Sequence, residues 1–185
     1  NTALVRRRLK TPNLWIESLS IGKLTRTQVA FAYIKGLTND KLVAEVRSRL
    51  ERIDIDGVLE SGYIEEFIED TPFTLFPLIA RTERPDWVTA SLLEGKVAIF
   101  TDGTPFVLLV PINFFELLQA PDDYYERVPI GVLIRNSRII AYWASILVPG
   151  MYVAVTNFHH ELLPSGLALR IASTRQGVPF PVVVE

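Results

Sequence analysis

Residues 139–158, IIAYWASILVPGMYVAVTNF, run for twenty positions without a charge, and no other stretch limits the fold as strongly. As a helix the run is roughly 30 Å long, which matches the hydrocarbon thickness of a bilayer. Arg135 and Arg138 stand just before it, and Tyr142, Trp143 and Tyr152 lie near its two ends, where amphipathic rings favour the membrane interface. A buried central helix of a water-soluble domain is also apolar all round, but such helices are usually shorter. Pro149 and Gly150 sit inside the run. In water such a pair breaks a helix, whereas in a membrane it is tolerated when neighbours re-satisfy the freed backbone. The run is therefore expected to be a membrane span that packs against other helices.

The charge distribution agrees with this division. The chain has 19 basic and 21 acidic residues and a net charge of −2. All but six of these charges precede Val128, and between 139 and 169 the only one is Glu161. The near-neutral total makes no electrostatic claim on nucleic acid. The first ~130 residues have the balance of a water-soluble domain large enough to close a core. Cysteine is absent, which excludes disulfides and thiolate metal sites. The basic start (Arg6, Arg7, Arg8, Lys10) leads into Thr11-Pro12-Asn13 rather than an apolar signal region. It reads as a frayed basic segment. The chain opens without Met and stops just after an apolar run, so an excerpt of a longer protein is expected.

Within the first 127 residues the patterns alternate between strand and helix. Residues 14–19 suggest an edge strand before Gly22. Residues 28–34 (QVAFAYI) are apolar on both faces, as a central strand covered on both sides would be. Thr38 or Asn39 caps a helix through Ile53, with Leu42, Val43, Val46, Leu50 and Ile53 on one stripe. Its outer face carries Lys41–Glu45, Glu45–Arg49 and Arg47–Glu51 at i,i+4 spacing, which reads as a solvated face. Residues 61–70 form a shorter helix with Ile64, Phe67 and Ile68 inward and Glu65, Glu66 and Glu69 outward. Pro72 ends it and a strand is expected over 73–80. Pro85 and Asp86 open a helix that Gly95 closes. Residues 97–100 and 105–110 flank Thr101-Asp102-Gly103-Thr104, a hairpin signal. Asn113 and Glu116 have capping-box spacing ahead of a helix interrupted by Pro121. The fold class expected is α/β, a mixed β-sheet with flanking helices followed by a transmembrane helix, with Val29, Phe31, Val46, Leu50 and Val107 in the core. The expected organisation is a soluble α/β subdomain over 1–127, a juxtamembrane linker over 128–138, the span over 139–158 and a post-span loop over 159–185. Residues 162–173, broken by Pro164, Gly166 and Arg170, suit an interfacial or re-entrant segment.

Chemistry-bearing clusters are sparse. Asp54 and Asp56 lack the further spaced oxygen ligands of a Ca²⁺ loop and read as an acidic turn. His159 and His160 are adjacent, so on a regular helix they point about 100° apart and cannot chelate one ion. They read as a polar cap on the span. There is no phosphate-binding glycine loop, nucleophile elbow or H-E-x-x-H. No catalytic, cofactor-binding or metal-ligating residue is assigned, and the expectation is a non-enzymatic protein. The residues singled out are Ser145, Pro149 and Gly150 for packing or pore-bracing within the span, and Arg127, Arg135 and Arg138 for its orientation.

Several runs, in collinear order, carry a family resemblance: LVRRRLKTPNL (4–14), the block over 25–70 with its DIDG and SGYIEE runs, PFTLFPLIARTERPDWV (72–88), LLEGKVAIFTDGTPFVLLVP (92–111), PDDYYER (121–127), LVPGMYVAVTNFHHELLP (147–164) and RQGVPFPVVVE (175–185). The chain resembles the A subunits of the spore germinant receptors, the GerA family. Arg135-Asn136-Ser137-Arg138 is more polar than the family's usual approach to the membrane, and Arg170 and Gln176 also depart from its pattern. The resemblance implies the second of two soluble N-terminal subdomains, the first span and the loop after it. It implies B and C subunit partners, a homo-oligomer of A subunits that conducts ions, membrane lipid around the span and a place in the inner spore membrane. It further implies nutrient-triggered ion release, with no catalytic residues and no cofactor. Two other classes remain at this point: a single-span membrane-anchored binding domain, and an enzyme domain tethered to the membrane.

Overall fold

The computed structural model describes residues 2–71, 74, 76–120, 123, 125–158, 166 and 173. The chain divides into two units, Asn1–Pro121 and Asp122–Glu185. In chain order the first contains α1 (Thr2–Arg8), β1 (Leu14–Ile21), β2 (Thr27–Ile34), α2 (Asp40–Arg52), α3 (Ser61–Ile68), β3 (Ala80–Thr82), α4 (Pro85–Leu93), β4 (Val97–Thr101), β5 (Val107–Val110) and α5 (Phe114–Leu117). The second contains α6 (Val128–Phe158).

The five strands lie in the order β1-β2-β4-β5-β3, and every neighbouring pair is antiparallel. The α/β domain followed by an apolar helix is as expected from sequence, but the sheet is not mixed. The reason lies in the path through α4. Strands β3 and β4 are each antiparallel to β5, so they run parallel to one another, as a strand–helix–strand unit requires. The β4–β5 hairpin places β5 between them and splits the parallel pair.

Side chains alternate across each strand, and both faces are covered. One face presents Val29, Phe31, Val97, Ile99, Leu108 and Val110 to Val43, Val46 and Leu50 of α2 and to Ile64 and Ile68 of α3. The register explains the continuity, because Phe31 lies opposite Ile99 and Ile99 opposite Leu108. The other face presents Ala32, Ile34, Ala98, Phe100, Val107 and Leu109 to Val5 of α1 and to Val88 and Leu92 of α4. All five residues expected in the core are buried. Removing a large side chain such as Phe31, fully buried, costs about 3–5 kcal/mol in comparable cores.

Local chemistry fixes the helix ends and turns. Asn39 caps α2 by accepting from the Lys41 N–H at 3.0 Å. Gly95 has φ +86°, and a Cβ there would lie 3.1 Å from the Leu37 carbonyl oxygen, so the turn after α4 needs glycine. Turn 54–58 is clipped onto the β1–β2 connection: Lys23 and Leu24 donate to the Ile55 and Asp56 carbonyls at 3.0 and 2.8 Å. Thr27 donates to the Val58 carbonyl at 2.8 Å. A Cβ on Gly57 would stand 2.8 Å from the Thr25 methyl, which gives the DIDG run a packing role.

Several local expectations are corrected. The basic start is not frayed: it forms α1, with Val5 buried and Leu9 beneath it. The strand expected over 73–80 begins only at Ala80; residues 72, 73 and 75 lie outside the described residues. Pro77 cannot donate to a ladder, which accounts for the late start. Helix α3 is rotated from its expected face, with Phe67 exposed and Glu65 buried. The Glu65 carboxylate pairs with Arg81 on β3. Asn113 makes no capping bond. Its amide donates to Glu116 at 3.1 Å, while Glu116 accepts from Lys96 at 2.6 Å, and α5 stops after four residues.

Candidate functional site

Helix α6 carries the chain's most distinctive surface. It runs 31 residues, or about 46 Å at the usual helical rise, and its apolar side chains face outward along its length. Val132, Leu133, Ile140, Ile146, Leu147, Val148, Met151, Tyr152 and Val153 are each at least half exposed. Over Val128–Thr156 the most apolar window is only 6% buried, unlike the core helix of a soluble domain. A continuous apolar surface of this extent signals a lipid or protein environment.

The expected linker over 128–138 is helical and forms the first turns of α6. Pro129 is compatible with this because a proline in the first turn removes an N–H that has no helical acceptor. Asp123, which precedes the helix, is brought back against it. Its carboxylate accepts from the Arg138 guanidinium at 2.9 and 3.2 Å, with only 4% of the Asp123 side chain exposed. Gly131 makes the approach possible, because a Cβ there would stand 2.6 Å from the Asp123 carbonyl oxygen. Of the orientation residues, Arg138 thus also holds the pre-helix segment, Arg135 is half-buried on α6, and Arg127 is exposed. Asp123 was not singled out from sequence. Fifteen residues separate it from its partner, and no local pattern links them.

The three span residues lie on one stretch of α6 without a partner element supplied by the described residues of this chain. Ser145 donates its hydroxyl to the Tyr142 carbonyl at 2.7 Å. Pro149 has no N–H, which leaves the Ser145 carbonyl without its helical donor. A Cβ at Gly150 would meet nothing within 4 Å. Thr156 donates to the Tyr152 carbonyl at 2.9 Å, so that hydroxyl is satisfied within its own helix. His159, His160 and Glu161 lie outside the described residues.

Among the described residues no group of three His, Cys, Asp or Glu is placed to hold a metal. Asp54 pairs with Lys23 at 2.7 Å. A cleft of about 270 Å³ is lined by Glu45, Arg49, Arg52, Phe67 and Asp70. Its Arg49 is already engaged by Glu45, by Asp70 and by the Ile68 carbonyl, so it is not a vacant anion site.

The family model described as Bacillus/Clostridium GerA spore germination protein matches residues 1–185. The chain belongs to the GerA family. It is 49% identical over 185 residues to spore germination protein KA of Bacillus subtilis, covering all of this chain and 34% of that protein. It is 50% identical to the B. subtilis uncharacterised membrane protein YfkQ, covering all of this chain and 36% of that one. This GerA-family chain therefore spans about a third of the length of these relatives. It is also similar to the crystal structure of the N-terminal domain of the A subunit of the Bacillus megaterium spore germinant receptor GerK3. Identity there is 57%, the match covers 61% of this chain and 90% of that one, and the TM-score is 0.49.

Proposed function

We propose that this GerA-family chain is part of the A subunit of a nutrient germinant receptor in the inner spore membrane. In this reading residues 1 to about 127 are a soluble N-terminal subdomain on the spore-core side. Residues 139–158 are the first membrane span, and 159–185 begin the loop after it. The subunit works without catalysis, beside B and C subunits, in an oligomer that releases ions when nutrient is sensed. The observation that carries the reading is α6: a long helix with its apolar side chains outward, in a chain that matches the GerA spore germination family over residues 1–185.

The functional test is deletion of the full-length gene, followed by complementation. Loss of nutrient-triggered ion release, restored by the intact gene but not by one lacking 128–158, is the expected result. Unchanged release in the deleted strain, with other receptors also removed, would overturn it. Orientation follows from Arg127, Arg135 and Arg138 ahead of the span, with Arg170 the first basic residue after it. A cysteine at exposed Asp102 is expected to resist an impermeant thiol reagent, and one at Ser165 to react. Selective labelling at Asp102 would reverse the topology. Ser61 is unsuitable as the reporter because it is fully buried.

A further inference from the structure

The two edges of the sheet are built differently. Strand β3, at one edge, has three residues, with Pro77 ahead of it and an exposed Arg81 at its centre. Shortness, proline and charge all blunt an edge against further pairing. Strand β1, at the other edge, has eight residues, and its sequence LWIESLSI contains no proline, glycine or lysine. Its register with β2 runs from Leu14–Ile34 to Ile21–Thr27 without a bulge. Its one charge, Glu17, is already held by Tyr33 and Arg47 of its own chain, so it does not repel an incoming strand.

The ladder shows which backbone groups of β1 are left open. Lys35 donates its backbone N–H to the Asn13 carbonyl at 2.9 Å, and hydrogen-bonded and non-hydrogen-bonded pairs alternate along an antiparallel ladder. The odd-numbered residues of β1 therefore bond to β2, and the even-numbered ones direct N–H and C=O outward. The far side of β2 agrees, because Asp102 donates to the even-numbered Gln28 at 2.9 Å. Leu14 turns its N–H back to the Thr11 carbonyl at 3.4 Å. Ile16, Ser18 and Ser20 remain, and among the described residues no turn or loop bond reaches their backbone groups. Ser18 and Ser20 are exposed, and Trp15 on the same strand is 47% exposed.

This open row is centred on Ser18, and its symmetry selects the occupant. A second β1, set antiparallel about a two-fold axis at Ser18, pairs Ile16 with Ser20, Ser18 with Ser18 and Ser20 with Ile16. Each such pair exchanges two backbone hydrogen bonds, so every open group is matched. Trp15 then lies opposite Ile21 on one face, an aromatic side chain against a β-branched one, and the two Ser18 hydroxyls meet on the other. Centring the axis on Glu17 instead sets two carboxylates against each other and calls on the Leu14 N–H that Thr11 already accepts. Setting Leu14 opposite Ile21 brings outward groups against inward ones. We propose that β1 is an isologous interface at which a second copy of this chain joins its five-stranded sheet to this one, edge to edge. The proposal goes beyond the receptor-subunit reading and stands on the first unit alone.

The chain has no cysteine, so single thiols report contacts without background. The test uses the full chain in detergent under mild oxidation. Ser18→Cys should crosslink to itself, because the paired Cα atoms stand about 5.5 Å apart, within disulfide reach. Ser20→Cys alone should not, since its two copies lie about 14 Å apart in this register, whereas a mixture of Ser20→Cys and Ile16→Cys copies should. Adding Ser18→Lys to both copies of that mixture should cut the 16–20 crosslink roughly fivefold, by setting like charges opposite one another. Ser18→Lys in one copy and Ser18→Glu in the other should restore it, which also shows that both variants fold. No crosslink at 18, equal crosslinking at 18 and 20, or a charge effect that is absent or not restored by the mixed pair would each overturn the interface. A dimer held elsewhere in the chain gives one of those overturning results. The receptor-subunit reading is tested by ion release and survives any of them.

Discussion

Glu17 lies on the edge strand, yet its carboxylate is held by two side chains. It accepts from the Tyr33 hydroxyl at 2.7 Å and from Arg47 Nε at 3.1 Å and Nη2 at 2.6 and 2.7 Å. Burial pushes the carboxyl's pKa up, but the hydrogen bonds from Tyr33 and Arg47 prevail and hold it below its ordinary 4.5. Burial, and then the Glu17 carboxylate, push the Tyr33 hydroxyl above its ordinary 10.0. The Arg47 and Glu17 side chains are 40% and 31% exposed, so solvent screens the pair and its net contribution is about 0.5–1 kcal/mol. A carboxylate with a depressed folded pKa stabilises the fold above its unfolded pKa, and that contribution is lost as pH falls through the folded value. Glu17→Gln should therefore lower the urea midpoint of the detergent-solubilised chain at about pH 6, and the gap to wild type should narrow towards about pH 3. A gap that stays constant across that range would show that ionisation of Glu17 contributes nothing.

At the scale of elements, α2 and α3 are joined through one side chain. Arg49 donates from Nε to Glu45 at 2.7 Å, from Nη1 to the Ile68 carbonyl at 2.6 Å and from Nη2 to Asp70. Lysine keeps the charge but cannot present a planar fork to three acceptors. Arg49→Lys should cost about 1–2 kcal/mol, as expected when hydrogen bonds to charged groups are lost. An unchanged urea midpoint would mean that the three contacts are ornamental. The same residue shows where sequence patterns stop being informative. The Glu45–Arg49 spacing predicts the local pair, whereas Asp70 and Ile68 become partners only after α3 folds back on α2. Arg47 likewise turns to Glu17 on β1 rather than to Glu51. Strand β2 and the stripe of α2 were legible because their periods are unambiguous, and Asp102-Gly103 marks its hairpin by local chemistry. In α3, two turns leave the buried face underdetermined, and the partner that draws Glu65 inward sits on β3. The spatial order that splits β3 from β4 is a property of the whole sheet. In α1 the arginine run masked Val5 and Leu9 at i,i+4, and in α6 the polar stretch 135–138 hid a helix that continues through it.

For the whole molecule, the proposed membrane-spanning role of α6 raises the question whether the helix is an anchor or a working part of an assembly. Pro149 frees the Ser145 carbonyl, and in hydrocarbon an unsatisfied carbonyl costs several kcal/mol unless another group donates to it. Gly150, one residue on, presents bare backbone on a surface where a Cβ would meet nothing within 4 Å of this chain. Small residues at such positions let a second helix approach closely. The open space makes Gly150→Leu a clean probe, because the added Cβ meets nothing within 4 Å and the side chain is apolar and suited to lipid. Membrane insertion of the full-length receptor should therefore be intact in Gly150→Leu spores, as read by subunit level in the membrane fraction. Assembly with partner subunits, or nutrient-triggered ion release, should fall, and Gly150→Ala should fall less because its methyl group obstructs a neighbouring helix less. A graded loss at equal membrane abundance would place Gly150 at a helix–helix contact. Normal assembly and release in Gly150→Leu would leave α6 as an anchor alone.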